Sequence, residues 1–582
     1  MRTPSSGRGR RGRSRHRRFR PVPAERPNEP MRARFDRIRA KTEEATEAPR
    51  ATLRFGVYAV VGMVVGLVVA GIQWIALDVV LHELLEAPLW FQALAPGLGL
   101  AVTFVVLRGR TSPATSDDYV RAYHTGADLT PRQLVPKLLG AVATLGGGGA
   151  LGAEGPSVYA GASIGQRLGL RLTSVLGPRG HRALTSAGAA AGVAAIFQAP
   201  ATGVLFALET PFQRDVARRA LIPALIAAAT SYLTFVSIFG VHSYLPVPRG
   251  EVRLRDEVFG AILLGLCAGI TARGLAGLWG AAKGLSERVS PLVRLAAGAA
   301  VSGLTLVAAR ALVGTSFTLG PGVEMVAEIA VDPTIGLWVI VAAFALRALA
   351  TSAALGAGGV GGVFIPLVVQ GLLLGRLVES LFTDAAPGLY PVIGLAAVLG
   401  AGYRTPLAAV MFVAETTGQA QFVIPALVAT AVSQAVMGEK SVASYQVTER
   451  EGMLERRLRL PVRNVVIDVP ILHPDQLVTD VIDTYGDAPP AQALPVCDDR
   501  YRGLLMLRDM AMALFEIGPD ATVGQAMHDV PAVRVDVPAV EAARIMGELD
   551  SAIIAVIDAD DVAIGVVTAL TMTGALDYDP DD

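Results

Sequence analysis

GGGGALGAEGP, Gly146–Pro156, puts one carboxylate, Glu154, inside a glycine-rich run that apolar helical sequence flanks on both sides. Glycine lets the backbone turn sharply, and a helix that begins just after such a turn presents free amide N–H groups and the positive end of its dipole. That is a ready anion site, and Glu154 is itself an anion placed in it. The run is no P-loop, since it lacks the G-K-[ST] ending.

Composition decides what surrounds that carboxylate. Of 582 residues, 52% are hydrophobic and 18% charged, against the ~45–50% and ~25% of ordinary soluble chains. FGVYAVVGMVVGLVVAGIQWIALDVVL (Phe55–Leu81) and LWVIVAAFALRALATSAALGAG (Leu337–Gly358) reach or approach the roughly 20 apolar residues that cross a bilayer as a helix. Several such segments between about residues 55 and 437 speak against helical hairpins buried in a soluble core, and the chain reads as a polytopic, all-α membrane protein. Irregular backbone at membrane depth is tolerated only where it is buried or lines a cavity. A charged Glu154 facing lipid would cost ~2.5–3.5 kcal/mol, so it is expected to face a polar pathway or to take a proton. Protonation or displacement would free the anion site, which makes Glu154 a gate and a proton acceptor at once.

The membrane region repeats. FQAPATGVLFALET (Phe197–Thr210) matches YRTPLAAVMFVAET (Tyr403–Thr416) without a gap, sharing Pro200/Pro406, Phe206/Phe412, Glu209/Glu415 and Thr210/Thr416. Upstream of each copy lies a glycine-rich break, GGGGALGAEGP in the first half and GAGGVGGVFIP (Gly356–Pro366) in the second. Corresponding interrupted segments in two halves point to a repeat-built transporter whose binding site lies where the broken helices meet.

GAEGP resembles the G-[KR]-E-G-P motif, and GGVFIP the G-x-F-x-P motif, of the CLC chloride channels and chloride/proton exchangers, and the likeness runs over about residues 51–448. The resemblance implies an inverted repeat of tilted, broken helices, a homodimer with one anion pathway per subunit, and chloride and protons as the transported species. It implies that Glu154 is the external gate, that Gly155 belongs to the anion-binding loop, and that the backbone amides of Val363 and Phe364 hold the central anion. Ala153 stands where the family has a basic residue; Lys137, in VPKLLGAV, matches a family lysine and is expected to supply positive potential.

Three further departures bear on the carry-over. The family's G-S-G-I-P loop is represented only by TSPAT (Thr111–Thr115), with Ser112 expected as the anion ligand if one residue of length difference is allowed and Pro113 otherwise; serine goes with chloride preference and proline with nitrate. The internal proton-transfer glutamate falls at Thr210, directly after Glu209, which leaves channel and exchanger both open, with a lean to exchange because Glu154 is present. The pore tyrosine falls near SVASYQ, at Ala443 in a gapped alignment or at Tyr445 two residues on. A fluoride-exporting member is an alternative that the serine loop and GVFIP do not favour.

Beyond Met437 the apolar spans stop. After a charged linker, residues 449–460, ALPVCDDRYRGLLMLRDMAMAL (Ala493–Leu514) is echoed by IAVIDADDVAIGVVTALTMTGAL (Ile554–Leu576), each a β-like run, an acidic turn, a second β-like run and a helix. This resembles a tandem α/β pair of CBS domains, at 461–516 and 521–580. Their adenine-nucleotide pattern G-h-h-[ST]-x-x-D is broken in both copies: Gly503 and Asp509 are present without the hydroxyl, Gly565 and Thr568 without the acid. A dimerising or modulating role is expected ahead of nucleotide binding, and no other cofactor is.

Residues 1–50 open with RGRRGRSRHRRFR (Arg8–Arg20), with no apolar core of a signal peptide. They read as a disordered cytoplasmic arm for anionic lipid rather than nucleic acid. The positive-inside rule places the amino terminus in the cytoplasm, and a multi-pass plasma-membrane protein with both termini cytoplasmic is expected. The seven histidines form no HExxH or clustered metal pattern, and the two cysteines no CxxC pair. A membrane enzyme is therefore set aside, and so is a CBS-bearing cation transporter, which would want several acids converging on its pathway.

Overall fold

The computed structural model describes residues 31–108, 110–177, 180–241, 245, 254–382, 388–449, 458–486 and 488–573, with the side chains of 31–51, 254–256, 287 and 573 left out. The chain divides into two units, Met1–Thr448 and Glu449–Asp582.

In the first unit, α1 (Met31–Ile72) continues through a π-helical stretch, Gln73–Leu81, to Glu86. It begins inside the segment expected to be a disordered arm. MRARFDRIRAKTEEATEAPR holds no glycine and is rich in Ala, Arg and Glu, which favour helix without any packing. The Arg8–Arg20 tract lies outside the described residues.

There follow α2 (Leu89–Leu107), α3 (Ser116–Thr125), α4 (Pro131–Gly146), α5 (Glu154–Arg171), α6 (Gly180–Ile196), α7 (Pro200–Glu209) and α8 (Leu221–Phe239). The second half has α9 (Leu254–Arg288), α10 (Pro291–Val313), α11 (Val323–Val331), α12 (Leu337–Gly356), α13 (Phe364–Glu379), α14 (Leu389–Tyr403), α15 (Pro406–Thr417) and α16 (Val423–Met437). Among the described residues, seven helices are long and apolar enough to cross a membrane, including those predicted at Phe55–Leu81 and Leu337–Gly358. Three apolar helices, α7, α14 and α15, are too short for that, as segments broken at membrane depth should be.

Both repeats are built the same way. The helix that follows each glycine break packs closely on the next one: a Cβ on Gly161 of α5 would run into the Gly188 carbonyl of α6, and one on Gly371 of α13 into the Gly394 carbonyl of α14. Small residues at these crossings let backbones touch, which is how helices associate where lipid removes the hydrophobic drive.

The repeated acids then tie one half to the other. Glu209, at the end of α7, accepts the N–H groups of Leu407 (3.1 Å) and Ala408 (2.9 Å) in the first turn of α15. Glu415, near the end of α15, accepts those of Ala201 (2.9 Å) and Thr202 (2.7 Å) in the first turn of α7, and the Thr202 hydroxyl as well. Each carboxylate fills helix-start donors that have no intrahelical partner.

The second unit contains two matching hairpins. β1 (Ala493–Cys497) pairs antiparallel with β2 (Tyr501–Met506), and β4 (Ile553–Ile557) with β5 (Ala563–Thr568); β3 (Val533–Arg534) runs parallel to β4. Val496 faces Gly503 as Val556 faces Gly565, and both registers shift one residue later. The duplication read in the sequence is thus present in the backbone, with α17 (Met510–Glu516) and α18 (Ala569–Thr573) following the two hairpins.

Candidate functional site

Two glycine-rich loops meet to form the site. Gly152 donates to the Gly362 carbonyl (3.0 Å) and Gly362 donates back to Gly152 (2.8 Å), a two-bond bridge between the loop before α5 and the loop before α13. The helix starts on either side are thereby held face to face. A side chain could not fit between them: a Cβ on Gly155 would come within 2.5 Å of the Thr115 hydroxyl and 2.8 Å of the Gly362 nitrogen.

Glu154 opens α5 and is 0% exposed. Its Oε1 accepts the N–H of Phe364 at 2.7 Å, the first residue of α13. The N–H groups of Ile365 and of Glu154 itself also face the carboxylate, while Oε2 is buried without a hydrogen-bond partner. The carboxylate of one half therefore occupies the helix start of the other, where the amide of Phe364 was expected to hold an anion. Val363, the residue before α13, is buried beside it.

A third helix start adds hydroxyls. α3 begins at Ser116 after Thr115, and both are buried, Ser116 Oγ without a hydrogen-bond partner. The Tyr403 hydroxyl, at the end of α14, lies beside Ser116 and the Val363 N–H, with the charges of Glu154 and Asp117 around it. Aromatic rings from both repeat copies pack around Phe364: Phe197 at 4.6 Å, Phe412 at 5.1 Å, Phe206 at 5.4 Å and Tyr403 at 6.4 Å between centroids.

Several expected residues stand elsewhere. Ser112 is exposed, because the helix starts later than the motif spacing suggested; Thr115 and Ser116 take the place by the loops. Tyr445 is 57% exposed and under the Arg121 guanidinium, 5.9 Å from its ring centroid, whereas Tyr403 is buried against Phe364. Ala443 is buried but has no hydroxyl. Thr210 is buried and turned onto the Phe206 carbonyl at 2.5 Å. Lys137 is buried but bonded to Asp118 and to the Ala114 carbonyl, with its ammonium 4.2 Å from the Tyr159 ring centre. It ties down the α3 loop through Asp118, which also pairs with Arg121 at 2.8 Å.

Sequence reading passed over Arg347, the one cation inside the Leu337–Gly358 span. It is fully buried and donates to the carbonyls of Phe317 (3.1 Å), Gly320 (2.8 Å) and Pro321. Gly320 in turn donates to Gly148 of the loop before α5 at 2.9 Å, and Thr351, one helical turn past Arg347, donates to Ala150 at 3.0 Å. An arginine in an apolar span is itself a signal, since such groups are costly unless they have a task.

In the second unit a cavity of about 870 Å³ is lined by Met506, Arg508, His528, Asp529 and Asp550 among others. None of the four expected nucleotide positions lines it. Asp509 is paired with His528 at 2.9 Å, Thr568 exchanges hydrogen bonds with Thr571, and a Cβ on Gly503 or on Gly565 would meet the His528 or Ile467 carbonyl. Asp498, in the β1–β2 turn, is held at a pKa of about 2 by its bond from Arg502 and by the Arg500 N–H.

The chain has relatives among known proteins. A curated relative, the putative chloride channel protein ClcB-like of Ralstonia nicotianae, is 30% identical over 326 residues, 54% of this chain and 74% of its own. The crystal structure of a CLC-type fluoride/proton antiporter superposes with a TM-score of 0.61 at 23% identity, covering 69% of this chain and 98% of that one. A slow cyanobacterial Cl⁻/H⁺ antiporter gives 0.58 at 23% identity, over 66% and 94%. The sequence model of the voltage gated chloride channel family matches residues 98–438, more than half of the chain and both glycine-rich loops. This multi-pass membrane protein, with a buried glutamate between two bridged helix starts, belongs to the voltage-gated chloride channel family.

Proposed function

We infer that the chain exchanges chloride against protons, with Glu154 as both gate and proton acceptor. Passage of chloride, as a channel or a chloride/proton antiporter, is what the family does. The observation that carries the finer reading is the bond from Phe364 N–H to Glu154 Oε1. A carboxylate that fills an anion seat leaves it when protonated, because a neutral acid loses most of its attraction for a helix start. Proton uptake and anion entry then become one event. Two structural neighbours being proton antiporters supports the same reading. Thr210 has no carboxylate, so the inner leg of the proton route uses another group.

The test is proton movement in vesicles holding the purified protein, with voltage clamped by valinomycin and potassium and an imposed gradient of chloride, nitrate or fluoride in turn. Uphill proton movement driven by chloride is expected, and Glu154→Gln should abolish it while anion flux continues. Chloride flux without proton movement would make the protein a channel and leave Glu154 as gate alone.

The same reading makes the protein a homodimer with one pathway per subunit, in the plasma membrane with both termini in the cytoplasm. The second unit reads as a CBS pair, supported by its two hairpins of equal register. Its role is modulation or dimerisation rather than adenylate binding, since the expected nucleotide positions stand off its cavity; tight ATP binding by the protein would reverse this.

A further inference from the structure

A proton that reaches Glu154 through the protein needs a titratable group on its way, and Thr210 is not one. The neighbouring carboxylates are engaged. Both oxygens of Glu209 accept N–H groups of α15. Along α3, Asp117 holds Lys283 and the Ser444 N–H, and Asp118 holds Lys137 and Arg121. A carboxylate in a fixed ion pair is a poor proton carrier, because the partner's charge favours its ionised form.

His124 is placed differently. It lies in the last turn of α3, half-buried, and among the described residues no carboxylate pairs with it. Its Nε2 stands 2.7 Å from the carbonyl of Pro211, the residue after Thr210. Its ring meets those of Tyr123 and Phe212 edge to face, at 5.2 and 5.3 Å between centroids, which fixes its orientation. A carbonyl only accepts, so in the neutral ring Nε2 carries the hydrogen and Nδ1 is the base that takes the next one. Imidazole, with an ordinary pKa of ~6.5, both takes up and releases a proton near neutral pH. Of the charged groups among the described residues, Arg182 of α6 acts on it.

The helix that carries His124 leads to the site. α3 starts at Ser116, close to Tyr403 and Glu154, and residues 116 to 124 span about 12 Å at ~1.5 Å each. Along that length comes Tyr119, fully buried, its hydroxyl 2.7 Å from the Ala207 carbonyl and 3.2 Å from the Ser186 hydroxyl. Hydroxyls both donate and accept, so they pass protons where apolar side chains cannot. At the other end, the loop that His124 touches is bonded to the last residues of the membrane unit: Gln213 and Arg214 donate to the Val447 and Thr448 carbonyls, each at 2.9 Å. With the carboxy terminus in the cytoplasm, this is the inner face.

We propose that His124 is the group that exchanges protons between the inner solution and Glu154, in place of a carboxylate at Thr210. The proposal rests on the chloride/proton exchange reading and names the residue for its inner leg. Nδ1 of the neutral ring takes a proton from the inner solution. The imidazolium then gives a proton up towards the Glu154 carboxylate, past the hydroxyls of Tyr119 and Ser116, and returns to its neutral form, while Glu154 becomes a neutral acid and leaves its seat.

The experiment is chloride-driven proton movement over a range of pH in vesicles holding the full-length protein, with voltage clamped by valinomycin and potassium. His124→Gln keeps a donor for the Pro211 carbonyl but does not titrate. Proton movement should fall about tenfold or more, the usual scale for loss of a positioned proton-transfer group, while chloride still passes without coupling. His124→Glu restores a titratable group at the same place. It should keep proton movement, with the pH profile displaced about two units to the acid side, as a carboxyl of ordinary pKa ~4.3 in place of an imidazole of ~6.5 requires. A residue that served packing alone would not move that profile, and His124→Glu supplies the readout if His124→Gln does not fold. Proton movement close to the parent's in His124→Gln, or a parent-like pH profile in His124→Glu, would overturn the proposal and leave exchange standing. Chloride flux without proton movement in the unsubstituted protein would overturn both.

Discussion

Glu154 and Arg347 show how differently two buried charges are kept. The carboxylate has one firm bond, from Phe364, and one orphaned oxygen. The guanidinium is held by three carbonyls of the loop before α11. The first arrangement suits a group that moves and the second one that does not. Arg347→Leu would leave three buried carbonyls without a donor, at ~1–3 kcal/mol each. We expect a clear fall in the thermal midpoint in detergent, followed by size-exclusion fluorescence, with Arg347→Lys falling less. In the second unit, Asp498 has its carboxyl held down to about 2 chiefly by Arg502. A carboxyl lowered below its unfolded value of ~3.9 adds stability above that value and loses it as pH falls through about 2. Arg502→Ala should bring the Asp498 titration back towards the ordinary range, read by carboxyl ¹³C shifts on the second unit; since both groups are exposed, added salt should shrink the difference.

The elements tell how much could be read in advance. GAEGP, GGVFIP and the duplicated P…F..E helices located the two halves and the helix starts that meet at Glu154, because glycine breaks and prolines at helix starts act locally on the backbone. What the motifs could not place was α3. Its start depends on where the chain can reach the two bridged loops, and that is a tertiary matter, so Ser112 was expected where Thr115 and Ser116 lie. Tyr403 was hidden for a related reason: it stands in the repeat as a counterpart of Phe197, and only packing shows that its hydroxyl has polar company. Lys137 was legible as a lysine near the site expected to supply positive potential, but its partner Asp118 was not. At this scale the carboxylate caps are the feature to test. Glu209→Ala or Glu415→Ala removes a charged acceptor from two N–H groups of the facing helix, a loss of ~1.5–3 kcal/mol for such a bond. Each variant should melt earlier than the parent in detergent, and the gap should persist in Glu154→Gln, which touches neither cap.

For the whole molecule, the two halves of the membrane unit are joined by more than packing: the Gly152–Gly362 bridge and both caps cross between them. A chain cut between Phe239 and Leu254 and expressed as two pieces should therefore copurify through a tag on either one, and Glu209→Ala with Glu415→Ala should reduce the yield of the untagged piece. Recovery of the tagged piece alone would show that these bonds follow assembly instead of helping it.

The caps have a historical reading too. In one repeat on its own, the terminal acid would have no helix to meet and the proline-led helix start no acid; both are completed only by a second copy. A single-repeat ancestor with these features would have worked as a pair from the outset, and joining two such genes end to end would have turned a subunit contact into an internal one without altering the chemistry.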